Sequence, residues 1–427
     1  MRVYLSHSST ILVETDDVRI VCDPWYSEPI FDGGWLLPEA TPSDRWLTDL
    51  LGGGLIDYIF VSHIHPDHYD SRYLTKLVNE YQIKLLIADW SSSCASNHLK
   101  SKMIRDGFSA DCIYEAINLS VGNTEINIFP WDNGSASDVD SAITITCSKS
   151  NACIVNLNDC VYHSDNLRKV SATIPHHYKK LVLASYSPAG SYPHTYLNLR
   201  GRELESEARI FKERFLSEYS AKCAALSADY GVPCAGGFRY AVQRWNSKSG
   251  RPSYSDAISR FQAPSGLTGY DSVIELSGHG DAKAFHKCSP AYQSQILTTQ
   301  DPAPASQHTD EDLVRLISSS YALACERIKT DESYTYIIIV KGYGTLLLPI
   351  NGSGIRFLQT DQLGDFIRSS RHTIHILAVK QSLLSQLLTG AAHWDNAEKG
   401  SLYNSFRLPN RYSRTAQSWL HYFCTRN

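Results

Sequence analysis

Short apolar stretches separated by turn residues run through the first three hundred residues, and they predict a series of short β-strands. The first three strands form an opening meander over residues 3–5, 10–14 and 18–22. A buried strand follows over residues 55–62, and a helix over 71–81. Further apolar stretches predict strands at 84–89, 121–128, 143–147 and 152–160, and one that begins at 181. We assign residues 1–300 to a single unit.

Two features change this pattern after residue 200. Residues 203–226 have apolar side chains three or four positions apart, which predicts a helix with one buried face. Residues 239–304 are irregular and rich in serine, glycine and proline, apart from a strand-like segment at 273–276, and we interpret them as an insertion or a loop layer. We therefore expect the helix to pack on the unit and the irregular stretch to lie over it.

A second pattern begins near residue 305, after the linker-like sequence 301–305. Residues 310–329 predict an amphipathic helix with an acidic start, which suits the positive end of the helix dipole. Four predicted strands follow, at residues 334–341, 345–350, 354–359 and 372–379. Residues 305–427 are therefore predicted to form a C-terminal α+β domain.

Composition restricts the class of protein. The 427 residues are 43% apolar and 20% charged, which is ordinary for a globular protein with a large core. The net charge of −4 provides no basic field, which argues against nucleic acid as a partner. There is no signal-peptide pattern and no apolar stretch of the roughly 18 residues that a membrane span needs, so we predict a cytoplasmic protein without a membrane partner. Eleven scattered cysteines fit a reducing compartment.

The densest group of chemically active side chains follows the predicted buried strand. It consists of three histidines and an aspartate within six positions: His63, His65, Asp67 and His68. Side chains two positions apart in an extended segment share a face, so the first two histidines can bind one metal ion. Pro66 ends the strand, and the aspartate and third histidine then point in a new direction, where they can serve a second ion. The alternative, a histidine-rich loop without metal, offers no packing reason for this density.

The spacing His-x-His-x-Asp-His resembles the signature of the metallo-β-lactamase superfamily. This resemblance implies an αββα sandwich with a site for one or two divalent ions, zinc or iron. It also implies roles for two aspartates elsewhere in the chain. Asp23, in Asp-Pro-Trp, resembles the aspartate that supports the metal site without binding the ion, with a simple turn residue as the alternative. Asp159, at the end of the strand 152–160, resembles the carboxylate that binds one metal or bridges two.

Two histidines have a less specific place in this resemblance. His7 ends the first strand, where superfamily members often have a histidine near the metal, although a hydrogen-bonded structural histidine explains it equally well. His194 is a final ligand by its order along the chain, and a loop histidine is the alternative. The chain has no histidine between His98 and His163, where most dinuclear members place a ligand. The first metal position is therefore altered, weakened or empty, and the oxygen donors available there are Asp132, Asp138 and Asp140.

Several stretches are similar to the catalytic domain of CMP-N-acetylneuraminate hydroxylases and their bacterial relatives. They are residues 156–160, the Ser/Pro/Gly-rich run 186–193, the helix after it, and residues 232–237. The resemblance implies hydroxylation of a sugar nucleotide at iron, with electrons from a Rieske domain on the same chain. This chain has neither the cysteine and histidine pattern of a Rieske cluster nor a Cys-x-x-Cys pair. An oxygenase would therefore need electrons from a separate protein.

A second group of polar and aromatic residues lies at 393–401 and 407–412, and it is similar to the C-terminal motif of the same hydroxylase-like group. Such a segment makes a poor core and a good wall for a polar, anionic substrate. We predict that the C-terminal domain contributes to the substrate cleft. The predicted substrate contacts are His393, Asn396, Arg407 and Arg411, with solvated surface charge as the alternative for the two arginines.

We predict a metalloenzyme that acts on a small molecule. The leading interpretation is a hydrolase that uses a metal-bound hydroxide on a polar, anionic or nucleotide-like substrate. Its predicted metal ligands are His63, His65, Asp67, His68, Asp159 and His194, of which Asp67 and His68 are also predicted to be catalytic. The second interpretation is an iron-dependent hydroxylase of a sugar-nucleotide-like substrate with a separate electron-transfer partner. The third is a ligand-binding module without catalysis.

Overall fold

The first third of the chain folds into short strands with helices between them. The computed structural model describes residues 1–91, 97–132, 139–190, 192–243, 250–293 and 309–425. The strands of residues 1–132 are β1 (Arg2–His7), β2 (Thr10–Glu14), β3 (Arg19–Cys22), β4 (Trp35–Leu36), β5 (Tyr58–Phe60), β6 (Lys84–Ala88), β7 (Ile113–Ala116), β8 (Asn118–Val121) and β9 (Thr124–Asp132). The helices are α1 (Arg45–Gly52), α2 (Ser71–Tyr81) and α3 (His98–Arg105).

The middle third contains the longest helix. Its strands are β10 (Val139–Cys147), β11 (Ala152–Asn156), β12 (Lys179–Ser185), β13 (Tyr230–Cys234), β14 (Arg239–Tyr240), β15 (Ser272–Glu275) and β16 (Lys283–His286). Its helices are α4 (Ser164–Ala172), α5 (Gly201–Ala225) and α6 (Tyr254–Ile258). Helix α5 matches the predicted packing helix, because its buried side chains contact the sheet that contains β12.

Two sheets form the centre of this unit. One has the strand order β16-β15-β1-β2-β3-β5-β6-β7, and the other β13-β12-β11-β10-β9-β8. The apolar layer between them follows from the two-residue period of strands: Val3 and Leu5 face the second sheet, whereas Tyr4 faces the opposite way. Helices α1, α2 and α3 cover the outer face of the first sheet, and α4 and α5 that of the second. The unit is therefore an αββα sandwich, as predicted.

The stretch 239–304 differs in part from the predicted insertion. Strand β15 pairs antiparallel with β1, and β16 pairs with β15, so both extend the first sheet. Ile274 is buried in the layer between the sheets, which explains why this short strand belongs to the sandwich. The sequence indicates a strand-like segment at 273–276 but not the strand with which it pairs. The predicted linker at 301–305 lies outside the described residues.

The C-terminal part is an α+β unit with a five-stranded sheet. Its strands are β17 (Tyr334–Val340), β18 (Gly344–Pro349), β19 (Arg356–Leu358), β20 (Thr373–Val379) and β21 (Asn404–Leu408), in the order β19-β18-β17-β20-β21. Its helices are α7 (Asp310–Arg327), α8 (Leu363–Ser369), α9 (Gln381–Thr389), α10 (Trp394–Lys399) and α11 (Arg414–His421). Side chains of α7, α9, α10 and α11 bury one face of the sheet, and those of α8 the other. Among the described helices, none is long and apolar enough to cross a lipid bilayer.

The sandwich and the C-terminal unit meet along a close backbone contact. The loop before β4 packs on the end of α10, where a side chain on Gly34 would overlap the backbone of Gly400. Next to it, the Trp35 indole N–H donates to the carbonyl of Lys399 at 2.8 Å. A second connection joins Leu197 N–H to the carbonyl of Ser405 at 2.7 Å. These contacts hold α10 and β21 against the sandwich.

Candidate metal centre

Four strand ends deliver polar side chains to one edge of the sandwich. Asp23 follows β3 and the histidine loop 61–69 follows β5; these strands are parallel neighbours, so their carboxyl ends lie together. In the second sheet, Asp140 lies near the start of β10 and Asp159 follows the end of β11, its antiparallel neighbour. The Ser141 hydroxyl donates to the Ser62 carbonyl at 2.7 Å and joins the two sheets at this edge.

Asp23 organises the histidine loop. One carboxylate oxygen accepts from the Ser62 backbone N–H, and the other accepts from the Ser62 hydroxyl, both at 2.8 Å. The second oxygen also lies 2.8 Å from His68 Nδ1. Because a carboxylate can only accept, Nδ1 carries a proton and Nε2 of His68 faces the centre. Asp23 therefore orients His68, and its support of a bound metal stays a prediction.

The far side of the loop is fixed by Asp70, which caps α2. One of its oxygens accepts from the Tyr73 backbone N–H at 3.0 Å. The other accepts from the N–H groups of Tyr26 and Ser27 at 3.0 and 2.6 Å. The buried carboxylate thus ties the segment after β3 to the segment after β5, and it leaves the histidines little freedom.

Two carboxylates surround His68 Nε2 at a distance typical of ligands that share an ion. Asp67 Oδ2 and Asp159 Oδ2 each lie 3.5 Å from this nitrogen, which is too long for a good hydrogen bond. Two ligands that are each about 2.1 Å from a tetrahedral ion are about 3.4 Å apart. The spacing therefore suits a metal ion better than a direct hydrogen bond.

The side chains at this edge form two overlapping groups of potential metal ligands, which we call the donor groups. His63, His65 and Asp140 form the first, and His63, His68 and Asp159 the second; within each group the donor atoms lie within 4.8 Å of one another. Each group contains two imidazoles and one carboxylate, and both depend on His63. Of the aspartates available in place of the expected histidine, Asp140 lies in the centre, Asp138 lies outside the described residues, and nothing is described for the side chain of Asp132.

Unsatisfied polar atoms show that these residues fit a cation. Among the described side chains, the buried atoms without a hydrogen-bond partner include Asp67 Oδ1, His68 Nε2 and Asp140 Oδ1. Burial of such groups without a partner is costly, and native proteins normally satisfy them with a protein group, a water or an ion. Asp140 belongs to the first donor group and His68 to the second, and Asp67 lies beside His68. Carboxylates and imidazoles are ligands that suit a divalent ion such as zinc or iron.

The charges at the centre perturb its histidines in opposite directions. Burial lowers the pKa of His63, and the neighbouring His68 and His65 lower it further, so His63 is neutral and able to bind a metal. Burial also opposes the charging of His68, but Asp67 and Asp23 outweigh it and hold the pKa of this imidazole well above its usual value. The protein without metal thus keeps a positive imidazole between carboxylates.

Asp140 gives a prediction for the metal-free protein. Burial raises the pKa of its carboxyl to about 6. Because the pKa is higher in the folded protein than in the unfolded chain, the protonated carboxyl favours the folded state at low pH. This stability, roughly 2–3 kcal/mol of unfolding free energy, is lost as the pH rises from about 4 through about 6. We expect Asp140→Asn to stabilise the chelator-treated protein at pH 8 by about this amount and to leave it almost unchanged at pH 4.

Urea unfolding of the two chelator-treated proteins at both pH values measures this difference. Asp365→Asn is a suitable control, because this carboxylate is exposed and pairs only with Arg368 on the same helix among its described contacts. An Asp140→Asn protein that is no more stable than its parent at pH 8 would contradict the buried, uncompensated state of this carboxyl.

The C-terminal unit adds two charged side chains that the sequence analysis missed. Lys399 Nζ lies 2.6 Å from His65 Nε2 and 2.6 Å from Asp395 Oδ2, and the same aspartate oxygen lies 3.3 Å from His65 Nε2. Both residues belong to the motif 393–401 that we interpreted as a substrate wall. Their spacing of four residues places them on one face of α10, and this is the signal that could have identified them.

Other predicted residues lie outside the two donor groups. His7 contacts the Trp25 carbonyl through Nε2 at 2.6 Å and the Ser6 hydroxyl through Nδ1 at 3.0 Å, the contacts of a structural histidine. His194 belongs to neither group; its Cε1 lies 3.1 Å from the position that a side-chain carbon on Gly250 would take. The loop after β12 therefore places it beside this glycine, and its role as a ligand stays a prediction.

The predicted substrate contacts mostly have partners at the junction of the two units. The His393 backbone N–H donates to Asp32 at 3.1 Å, and Asn396 hydrogen-bonds the same carboxylate. Arg407 is buried, donates to Asn410 at 3.0 Å and lies 5.0 Å from the ring centroid of Tyr196. Arg411 is exposed and lines a separate cavity of about 440 Å³. In the described contacts, none of the four touches a residue of the donor groups, and substrate binding by them stays a prediction.

The two packed sheets, their outer helices and the histidine loop at the sandwich edge define the metallo-β-lactamase fold. No family model matches the chain. Among solved structures, it is similar to an isothiocyanate hydrolase from Delia radicum gut bacteria (12% identity, 65% of this chain and 100% of the other, TM-score 0.41). It is also similar to a metallo hydrolase from the archaeon Ignicoccus hospitalis (14% identity, 55% and 82%, TM-score 0.35).

Among curated proteins, the chain is similar to a putative Rieske 2Fe-2S iron-sulfur protein of Mycolicibacterium smegmatis, at 25% identity over 233 residues, 53% of this chain and 41% of the other. It is also similar to the cytidine monophosphate-N-acetylneuraminic acid hydroxylase of Pongo pygmaeus, at 42% identity over 74 residues, 17% of this chain and 12% of the other. The human relative, which matches over the same length, is described as inactive. The chain thus spans less than half the length of these relatives.

Proposed function

We propose that the protein is a metal-dependent hydrolase that acts on a small, polar and anionic substrate, such as a nucleotide-like ester. The observation that carries the proposal is the set of potential metal ligands at the sandwich edge, which includes buried polar atoms without a hydrogen-bond partner. A divalent ion held there would supply Lewis acidity and an activated water at neutral pH. We propose His63, His65, Asp67, His68, Asp140 and Asp159 as its ligands, with Asp67 binding through Oδ2.

Asp67 and His68 are the proposed catalytic residues. Asp67 is buried, and its Oδ1 has no hydrogen-bond partner, so this oxygen can accept a proton from a reacting water. His68 is held by Asp23 through Nδ1, and its Nε2 lies 3.5 Å from Asp67 Oδ2. An anionic substrate is supported by Lys399, whose ammonium group lies beside the donor atoms and can attract a phosphate or carboxylate.

A second function, iron-dependent hydroxylation of a sugar-nucleotide-like substrate, is supported by a different observation. Each donor group consists of two histidines and one aspartate, the set that non-haem iron oxygenases use. The 74-residue similarity to the hydroxylases agrees with it. Such a reaction puts one atom of dioxygen into the substrate and reduces the other to water, so it needs two electrons and two protons; an electron-transfer partner is the proposed source of the electrons.

Metal analysis of the purified protein tests the first proposal against the second. We expect about one zinc ion per chain and hydrolysis of a generic phosphodiester such as bis(p-nitrophenyl) phosphate that a chelator stops and zinc restores. Tightly held iron with an optical band, together with reductant-dependent oxygen consumption, would support the hydroxylase instead. A protein that binds neither metal would refute both and leave a ligand-binding module.

A further inference from the structure

The two nitrogens of His65 face different parts of the molecule. Nδ1 lies 2.7 Å from His63 Nε2, on the side of the donor groups. Nε2 faces α10, with Lys399 Nζ at 2.6 Å and Asp395 Oδ2 at 3.3 Å. The imidazole of His65 therefore lies between the sandwich and the C-terminal unit. Lys399, more than three hundred positions away in the sequence, contacts this proposed ligand.

Asp395 and Lys399 are themselves held in place. Their side chains are only 12% and 19% exposed and form an ion pair at 2.6 Å. His421 Nε2 lies 3.9 Å from the other oxygen of Asp395. The Trp35 indole fixes the carbonyl of Lys399, and the Asp32 carboxylate fixes the start of α10. The pair is thus a built part of the centre and not a mobile surface ion pair.

The chemistry of the two partners makes them act differently on His65. An ammonium group can only donate, so its contact requires Nε2 to be without a proton. A carboxylate can only accept, so its contact requires a proton on Nε2. An imidazole that binds a metal through Nδ1 must carry its proton on Nε2, and metal-binding histidines usually donate that proton to a carboxylate. The aspartate therefore favours the metal-binding tautomer, and the lysine favours the other.

We propose that Asp395 and Lys399 are positioning residues of the metal centre that change its affinity for the ion in opposite directions. Asp395 orients the His65 imidazole for binding and raises the affinity. Lys399 holds the imidazole in the other tautomer, places a positive charge beside the ion, and lowers the affinity. The inference rests on the proposed function, because it requires that the centre binds a metal.

The test measures the affinity of the full chain for Zn²⁺ by competition with a chromophoric chelator. We expect Asp395→Asn to weaken binding about 10–100-fold, as is typical when the carboxylate behind a metal-binding histidine is lost. We expect Lys399→Met to tighten binding roughly tenfold, because a unit positive charge is removed from beside a dication. Visible spectra of the Co²⁺-loaded proteins report ligand geometry, and those bands should change in Asp395→Asn.

Glu398→Gln is the matched control, because Glu398 belongs to the same helix and bonds Gln417 instead of His65. It should leave both the affinity and the cobalt spectrum unchanged. A merely structural role predicts that both test variants weaken binding alike, and that result would overturn the inference. If Asp395→Asn does not fold, unchanged or weaker binding by Lys399→Met overturns it alone. Absence of metal binding by the unsubstituted protein would instead refute the proposed function.

Discussion

Replacement of His63 by alanine is expected to remove metal binding and turnover together, with at least a 100-fold loss of each, while the protein stays soluble. His63 is the one residue common to both donor groups, so no alternative pair of histidines within either group remains. Folding is carried by the apolar layers of the sandwich, and a loop ligand contributes to it mainly through bound metal. Elemental analysis and the rate of phosphodiester hydrolysis measure the two losses.

His279→Ala is the control for this variant, because His279 is exposed in the turn between β15 and β16. It should keep the metal content and rate of the parent. If His63→Ala is lost from the soluble fraction, the metal is structural; if it keeps its full metal content, the ligand assignment is wrong.

Gly34→Ala is expected to have the second largest effect, on the junction between the units. The new methyl group would overlap the backbone of Gly400, and backbone atoms at a packed interface cannot move aside as a flexible side chain can. Overpacking of this kind costs roughly 1–3 kcal/mol of unfolding free energy, and more where the backbone cannot relax. The end of α10 would shift and take Lys399 with it, so zinc affinity should change as well.

Urea unfolding and the zinc titration test both parts of this prediction. Gly269→Ala is the matched control, because Gly269 has no positive φ and no atom within 4 Å of the new methyl group. It should alter stability and zinc affinity very little. A Gly34→Ala protein as stable as the control would show that the units do not pack as closely as described.

The sandwich half of the centre was largely predictable from the sequence. Apolar stretches placed His63 at a strand end, and the resemblance to the superfamily's motifs added Asp23 and Asp159; all three lie at the same edge of the sandwich. The choice among the carboxylates of residues 132–140 was not predictable, because residue order does not tell which oxygen of a turn faces inward. Strand β15 was expected only as a strand-like segment at 273–276, because a four-residue period does not show which sheet such a segment joins.

The C-terminal unit was predicted to supply substrate contacts, which stays a prediction, whereas the residues that it brings to His65 were not predicted. Polarity and aromatic content identified the motif 393–401, yet the helical face of α10 decides which of its side chains point at His65. Asp395 and Lys399 share that face, whereas Asn396 turns to Asp32. A sequence pattern can show that one face of a helix is buried, but only the tertiary structure shows which residues that face contacts.

The separation of His65 and Lys399 along the chain also fixes an order in time. The two residues are 334 positions apart, and at ~5–20 residues per second a ribosome needs roughly 20–70 seconds to make the intervening chain. Domains generally fold as units during synthesis, with the N-terminal one first. The histidine loop therefore emerges well before the lysine that will contact it. During that interval the histidine loop is exposed to the ions of its surroundings, while the positive charge of Lys399 is not yet beside it.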